Sequence, residues 1–104
     1  MADILEAVQD SLEITRSMNY ETFRQDKRTI KVVLYNLAVV GEAARKLPDE
    51  VIARYPAIPW REMGDMRNVV IHEYFGIDTS ILWETIENEL PPLVKRLKDI
   101  IADC

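Results

Sequence analysis

Residues 26–47, DKRTIKVVLYNLAVVGEAARKL, carry the clearest structural pattern of the chain. Apolar or small side chains recur every three or four positions, which is the period of one face of an α-helix. This stripe consists of Ile30, Val33, Leu34, Leu37, Gly41, Ala44 and Leu47. Asp26 is a suitable N-cap residue because its carboxylate can accept from backbone amides of the first turn, and Pro48 stops the helix. The segment therefore predicts one long amphipathic helix.

Helical periodicity continues on both sides of this segment, and nothing in the sequence suggests a sheet. The expected helices are Ala2 to about Ser17, a short piece ending near Gln25, 49–54, 60–74 with a stop at Gly76, and a last helix capped by Asp78 with Thr79 and Ser80. The stripe of the last helix is Leu82, Ile86, Leu90, Leu93, Leu97 and Ile100. Pro91 and Pro92 lie inside it, so a kink or break is expected there. The sequence thus predicts an all-α fold, an antiparallel helical bundle with a kinked C-terminal helix.

The composition bounds the class of protein. With 104 residues, of which 48% are hydrophobic and 30% charged, the chain is expected to form a single domain over 1–104. It has no long uncharged apolar run, so no membrane span is expected, and residues 1–10 lack the basic start of a signal peptide. The single cysteine, Cys104, fits a reducing compartment, and a cytoplasmic location is the expectation.

The charge is unevenly distributed along the chain. The net charge of −5 disfavours nonspecific binding to nucleic acid, which is itself a polyanion. Residues 24–31 nevertheless contain Arg24, Lys27, Arg28 and Lys31 against one acid, Asp26, and residues 73–89 contain acids and no base. We interpret both segments as solvated faces. The alternative for the first segment is a local basic patch that faces RNA.

The residues best suited to chemistry lie in 67–74, which read RNVVIHEY. On a helix Asn68 and His72 are neighbours, so the amide could bond one imidazole nitrogen and leave the other free for proton transfer. Arg67 has a planar fork suited to phosphate. Arg67 and His72 are about 140° apart around a regular helix, so the arginine reaches round, the helix distorts, or two chains pool their residues. No phosphate loop, cysteine pair or histidine pair is present, so no metal site and no cofactor are expected.

Five short motifs occur in order along nearly the whole chain. They are Gly41-Glu42-Ala43-Ala44, Tyr55-Pro56, Ile58-Pro59-Trp60, Met66-Arg67-Asn68 and His72-Glu73-Tyr74. The arginine–histidine spacing resembles the signature of HEPN domains, and the ordered set resembles the HepT family. An arginine followed five residues later by a histidine is a weak signal alone, but the ordered set that ends in His-x-Tyr is specific.

The resemblance implies a homodimeric helical bundle that acts as a metal-independent ribonuclease toxin of a type VII toxin–antitoxin module. Arg67 and His72 of both protomers would surround one cleft, with Asn68 and Glu42 orienting the site, and RNA would be cut to a cyclic phosphate. The family's antitoxin partner is MntA, a nucleotidyltransferase that attaches AMP to the tyrosine matching Tyr74. Relatives commonly carry several more residues before Ile4, and a shorter first helix could weaken the dimer or trim the cleft.

Two other functions are compatible with the sequence. One is a catalytically silent HEPN module that binds a nucleotidyltransferase or a nucleotide, and the other is a plain helical interaction protein. The presence of both Arg67 and His72 favours the ribonuclease, because a silent module has no need of both groups. A neighbouring gene for a small nucleotidyltransferase would exclude the plain interaction protein.

Overall fold

The computed structural model describes the backbone of residues 2–74 and 79–103, and the side chains of these residues other than 69, 71–74 and 103. The helices are α1 (Ala2–Thr15), α2 (Tyr20–Gln25), α3 (Lys27–Arg45), α4 (Asp49–Arg54), α5 (Trp60–Tyr74), α6 (Thr79–Glu84), a π-helical segment (Thr85–Glu89) and α7 (Leu90–Asp103). The described residues contain no strand, and the predicted all-α fold is confirmed. None of these helices is long and apolar enough to cross a membrane.

Side-chain caps define where α2 and α3 begin. Asn19 Oδ1 accepts from the Thr22 amide at 2.9 Å, and Thr22 Oγ1 accepts from the Asn19 amide at 3.0 Å, which together form a capping box. Asp26 Oδ1 accepts from the Thr29 amide at 3.1 Å, as predicted. This backbone hydrogen bond is the main cause that lowers the pKa of the Asp26 carboxyl below its ordinary value. The two caps thus give hydrogen-bond partners to backbone amides in the first turns of α2 and α3.

The core forms where α3 packs between α1 and α5. Val33, Leu37 and Val40 of α3 are completely buried, as the stripe predicts. Three outer members of that stripe are only partly buried, namely Ile30, Leu34 and Leu47. A polar contact fixes the position of α1, because Asn36 Nδ2 donates to Asp10 Oδ2 at 2.8 Å. The long helix is therefore held on two sides, and its third side faces solvent.

The last helical stretch is irregular next to its proline pair, as predicted. All six apolar residues expected to face the core are buried. The helix does not break at Pro91 and Pro92, however, because the distortion takes the form of the π-helical segment just before them. The Leu90 amide there donates to the Thr85 carbonyl, five residues back. The wider turn lets the helix continue although the prolines donate no hydrogen bond.

Helix ends follow the expected boundaries closely. The first helix ends at Thr15, two residues before the predicted Ser17, and Thr15 Oγ1 donates back to the Ser11 carbonyl at 2.7 Å. Helix α4 covers 49–54 and α5 begins at Trp60, as predicted. The predicted stop at Gly76 and the predicted cap at Asp78 fall in 75–78, which lie outside the described residues.

Candidate functional site

The site predicted from the sequence lies where α3 passes α5. Arg67 Nη1 on α5 lies 3.4 Å from Glu42 Oε1 on α3, and the two groups form an ion pair. Both side chains are about half exposed, at 51% each. The fold therefore brings together two of the predicted site residues, which are 25 positions apart in the sequence.

Gly41 determines how closely the two helices approach at Arg67. A Cβ atom placed on Gly41 would lie 3.2 Å from the Arg67 backbone nitrogen, 3.3 Å from Arg67 Cβ and 3.3 Å from the Gly64 carbonyl oxygen. These are backbone or Cβ atoms, which cannot rotate away. The absence of a side chain at Gly41 thus lets the Arg67 backbone lie directly against α3.

A second contact lies one turn away on the same interface. Arg45 Nε donates to the Gly64 carbonyl oxygen at 3.3 Å. Gly64 also lies close to the Arg45 side chain, since a Cβ on Gly64 would be 3.3 Å from Arg45 Cγ. As Gly41 contacts Arg67 and Arg45 contacts Gly64, the numbering rises on one helix while it falls on the other. Helices α3 and α5 are therefore antiparallel here.

The N-terminal part of α5 is held by buried side chains. Trp60 is buried and its indole Nε1 donates to the Tyr55 carbonyl at 2.9 Å. Met63 and Met66 of α5 are also buried, with 0% and 3% exposure. These contacts hold the first half of α5 against the core while Arg67, the residue after Met66, remains at the surface. The core thus fixes the backbone from which the guanidinium projects.

The remaining predicted site residues follow Arg67 on the same helix. Asn68 is exposed. His72 and Tyr74 belong to the last turns of α5, and their side chains lie outside the described residues. Because α5 is a regular α-helix from Trp60 to Tyr74, the alternative in which helix distortion brings Arg67 onto the face of His72 is removed. A long arginine reaching round the helix and a site pooled from two chains both stay open.

Sequence reasoning identified the polar residues of the site but not the packing that holds them. It assigned Gly41 to the buried stripe of the long helix and gave no role to Gly64 or Arg45. Glycines placed on two neighbouring helices are the signal that could have indicated a close crossing. Among the side chains that the structure describes, no group of three or more histidine, cysteine, aspartate or glutamate residues could hold a metal ion. Metal-independent chemistry stays a prediction.

Comparison with known proteins decides the family. The sequence model described as "Ribonuclease HepT-like" matches residues 4–100, which is nearly the whole chain. The chain belongs to the HepT-like ribonuclease family. The resemblance predicted from the five ordered motifs is therefore confirmed.

Individual HepT-like relatives support this assignment. "Putative RNase MJ0127" of Methanocaldococcus jannaschii is 41% identical over 101 residues, which cover 97% of this chain and 84% of that protein. "Probable ribonuclease HepT" of Thermococcus cleftensis is 41% identical over 93 residues, covering 89% of this chain and 84% of the relative. No solved structure gives a significant match.

Proposed function

We propose that this HepT-like chain is a toxin that cleaves RNA without a metal ion, with Arg67 and His72 as its catalytic residues. The observation that carries the proposal is the position of Arg67, which projects to solvent from a backbone held against Gly41. The same regular helix contains the chain's one histidine five residues later. A cation and a general base on the same helix suit phosphoryl transfer from RNA.

In the proposed reaction the RNA supplies its own nucleophile. His72 takes the proton from a ribose 2′-hydroxyl, and the 2′-oxygen attacks the adjacent phosphorus. The bond from phosphorus to the 5′-oxygen of the next nucleotide breaks, and that oxygen receives a proton from an imidazolium or from water. The products are a 2′,3′-cyclic phosphate and a free 5′-hydroxyl. Asn68, four residues before His72 on the helix, orients the imidazole.

Arg67 binds the phosphate and stabilises the negative charge that develops on its oxygens. In the free protein the guanidinium is paired with Glu42 at 3.4 Å. An ion pair this exposed stabilises the fold by only about 0–1 kcal/mol, so an RNA phosphate can compete with the carboxylate. Glu42 thus keeps the arginine directed at the cleft before RNA binds, and yields to the substrate.

The proposed active form is a symmetric homodimer. Arg67 and His72 are five residues apart on a regular α-helix, which separates their directions by about 140°. A second protomer removes this difficulty because Arg67 of one chain can work with His72 of the other. Toxicity would be controlled by an MntA-like nucleotidyltransferase that transfers AMP from ATP to Tyr74. The added phosphodiester would bind Arg67 and block the cleft.

Substitution at the two catalytic positions tests the proposal. Arg67→Ala and His72→Ala are each expected to abolish growth arrest and RNA degradation when the chain is expressed in a bacterial host. Arg61→Ala is the matched control, because Arg61 is an exposed arginine on the same helix. A fully toxic Arg67→Ala or His72→Ala at equal expression would contradict the assignment. If Arg61→Ala also lost toxicity, the loss in Arg67→Ala would not be specific to that position, and the catalytic role of Arg67 would no longer be supported.

A second experiment tests the regulation. Co-expression with the cognate nucleotidyltransferase is expected to give an inactive chain heavier by one or more AMP units on Tyr74. Tyr74→Phe should stay toxic when the partner is present, since it lacks the acceptor oxygen. Peptide mass spectrometry locates the adduct. If AMP is found elsewhere, or if the partner still neutralises Tyr74→Phe, the partner acts by another route.

A further inference from the structure

The solvent-facing side of α3 carries three residues that the proposed chemistry does not use. Arg28 and Lys31 are exposed, and the Tyr35 side chain is 71% exposed. The three follow one another at intervals of three and four positions, so they lie on one face of the helix. We call Arg28, Lys31 and Tyr35 the basic ridge.

The two cations of the basic ridge are available to a ligand. Among the residues that the structure describes, the lysine and arginine side chains in ion pairs within 4 Å are Arg16, Arg24 and Arg67. Arg24, for example, contacts Glu21 at 3.0 Å. Arg28 lies near enough to Asp26 to contribute slightly to its lowered pKa, but it forms no such pair with a described side chain. The basic ridge therefore presents two cations outside ion pairs with described side chains, although the chain as a whole has a net charge of −5.

Tyr35 adds an exposed aromatic ring to these cations. A large side chain this exposed contributes little to the core, whose α3 members include Val33, Leu37 and Val40. Cations beside an exposed aromatic residue are the combination by which proteins hold single-stranded nucleic acid: the cations contact phosphates and a base stacks on the ring. Exposed cations and an exposed ring contribute little to the stability of the fold.

The basic ridge lies on the same side of α3 as Glu42, the residue that contacts Arg67. At 100° per residue, Arg28, Lys31, Tyr35 and Glu42 lie within about 60° of one another around the helix, and Glu42 lies about 21 Å along the axis from Arg28. Glu42 contacts Arg67. Since α5 is antiparallel to α3, its backbone after Arg67 advances toward the basic ridge. Glu42 thus places Arg67 next to the side of α3 that carries the ridge.

Carboxylates mark the other flank of this surface. Asp3, Glu6 and Asp10 of α1 line a surface depression together with Tyr35. They would repel a phosphate backbone, whereas the side of α3 that packs on α5 offers Arg67. The charge distribution therefore restricts an RNA strand to the α5 side of the ridge.

We propose that the basic ridge binds single-stranded RNA next to the catalytic cleft, with Arg28 and Lys31 on successive phosphates and Tyr35 stacked on a base. The proposal rests on the proposed function for the direction of the strand, which passes from the ridge to Arg67. It also explains how a chain of net charge −5 holds a polyanion. A second copy of this chain is the competing occupant of the same face.

Fluorescence anisotropy tests the binding. The probe is a labelled single-stranded RNA of about 12 nucleotides with 2′-O-methyl groups, long enough for a single-strand site and unable to supply the proposed nucleophile. The variant Arg28→Glu/Lys31→Glu is compared with Lys95→Glu/Lys98→Glu on α7, an exposed pair with the same spacing and the same change in charge. We expect the ridge variant to raise Kd about tenfold or more over the control. Losing two phosphate contacts should also lower the slope of log Kd against log salt by about 1.4.

Single substitutions at Tyr35 separate stacking from charge. Tyr35→Ala should raise Kd about tenfold, whereas Tyr35→Phe keeps the ring and should stay within about twofold of the wild type. Circular dichroism of each variant checks that the helices are intact. The proposal would be overturned if Tyr35→Ala and Tyr35→Phe lost the same affinity for RNA. It would also be overturned if the ridge variant and the α7 variant lost the same affinity.

Sedimentation identifies the competing occupant. If the ridge variants change the oligomeric state and leave the Kd for RNA unchanged, the face binds a second copy and the RNA proposal is wrong. If the wild type binds RNA through the ridge but never cleaves unmodified RNA, the RNA-binding proposal is supported and the proposed catalytic function is wrong. If RNA is cleaved while Kd is independent of the ridge, the proposed function stands and the ridge proposal fails.

Discussion

Replacing Gly41 by alanine tests how closely α3 and α5 must approach at Arg67. The new methyl group would meet the Arg67 backbone nitrogen at 3.2 Å, Arg67 Cβ at 3.3 Å and the Gly64 carbonyl oxygen at 3.3 Å. All three contacts are tighter than ordinary van der Waals contact, and the atoms belong to backbone or lie next to it. They can yield only if α5 moves by a few tenths of an ångström.

The expected cost follows from two opposing effects. Alanine favours a helix over glycine by about 0.5–1 kcal/mol. Overpacking an interface that cannot relax by side-chain rotation costs about 1–3 kcal/mol. Gly41→Ala should therefore lower the free energy of unfolding by about 0–2.5 kcal/mol, and the midpoint temperature by at most about 20 °C. Because a 1 Å error in a catalytic group can cost about 100-fold in rate, a shift of a few tenths should lower RNA cleavage up to about tenfold.

Gly64→Ala provides the matched control on the facing helix. A Cβ there would meet only Arg45 Cγ at 3.3 Å and Arg45 Nε at 3.5 Å, atoms of a flexible, exposed side chain. The helix preference then dominates, so Gly64→Ala should raise stability by about 0.5 kcal/mol with cleavage unchanged. Thermal unfolding and cleavage of a labelled RNA measure both variants. If Gly41→Ala were as stable and as active as Gly64→Ala, the close crossing would not be what positions Arg67.

Three further substitutions test other parts of the account. Ser11 is completely buried and its Oγ has no hydrogen-bond partner among the described residues. Ser11→Ala should therefore raise the free energy of unfolding, measured by urea titration, by about 1 kcal/mol. A lower free energy of unfolding in Ser11→Ala would show that the hydroxyl does have a partner. Asp26→Ala should lower the midpoint temperature by a few degrees at neutral pH. The Asp26 pKa is lowered in the folded state, so this stabilisation is present above its ordinary value of 3.8 and disappears as pH falls through the folded value; a difference that persists in acid would contradict the cap. Glu42→Gln should bind RNA a few times more tightly, because the carboxylate no longer competes for Arg67, yet cleave it more slowly at saturation; a kcat unchanged from wild type would exclude a positioning role.

Much of the fold follows from local pattern. The stripe of the last helix and the Asp26 cap are properties of short segments, and both were predictable for that reason. The π-helical segment was not, because periodicity shows that Ile86 and Leu90 face the core but not how the chain accommodates the prolines that follow. That choice depends on packing, which keeps both side chains buried at 2% and 0% exposure.

The site was predictable in its chemistry from the residue types, whereas the place of Glu42 beside Arg67 was predictable only from the family resemblance. Arg67 and His72 stand out because the residue types suit phosphoryl transfer and the motif order resembles a family. The contact of Arg67 with Glu42 joins two helices, so no local pattern encodes it. The role of Gly41 is likewise a property of the crossing between α3 and α5, where the absence of a side chain is what matters.

The chemistry at the ends of the cleaved RNA tests the central claim most directly. Purified protein is incubated with a labelled RNA in the presence of a chelator, and the new 3′ ends are identified by mass spectrometry. The account predicts 2′,3′-cyclic phosphate ends and 5′-hydroxyls at an unchanged rate with the chelator, and a loss of about 100-fold or more in Arg67→Ala and in His72→Ala. Cleavage that stops when metal is removed, or that leaves 3′-hydroxyl ends, would contradict a reaction carried by Arg67 and His72.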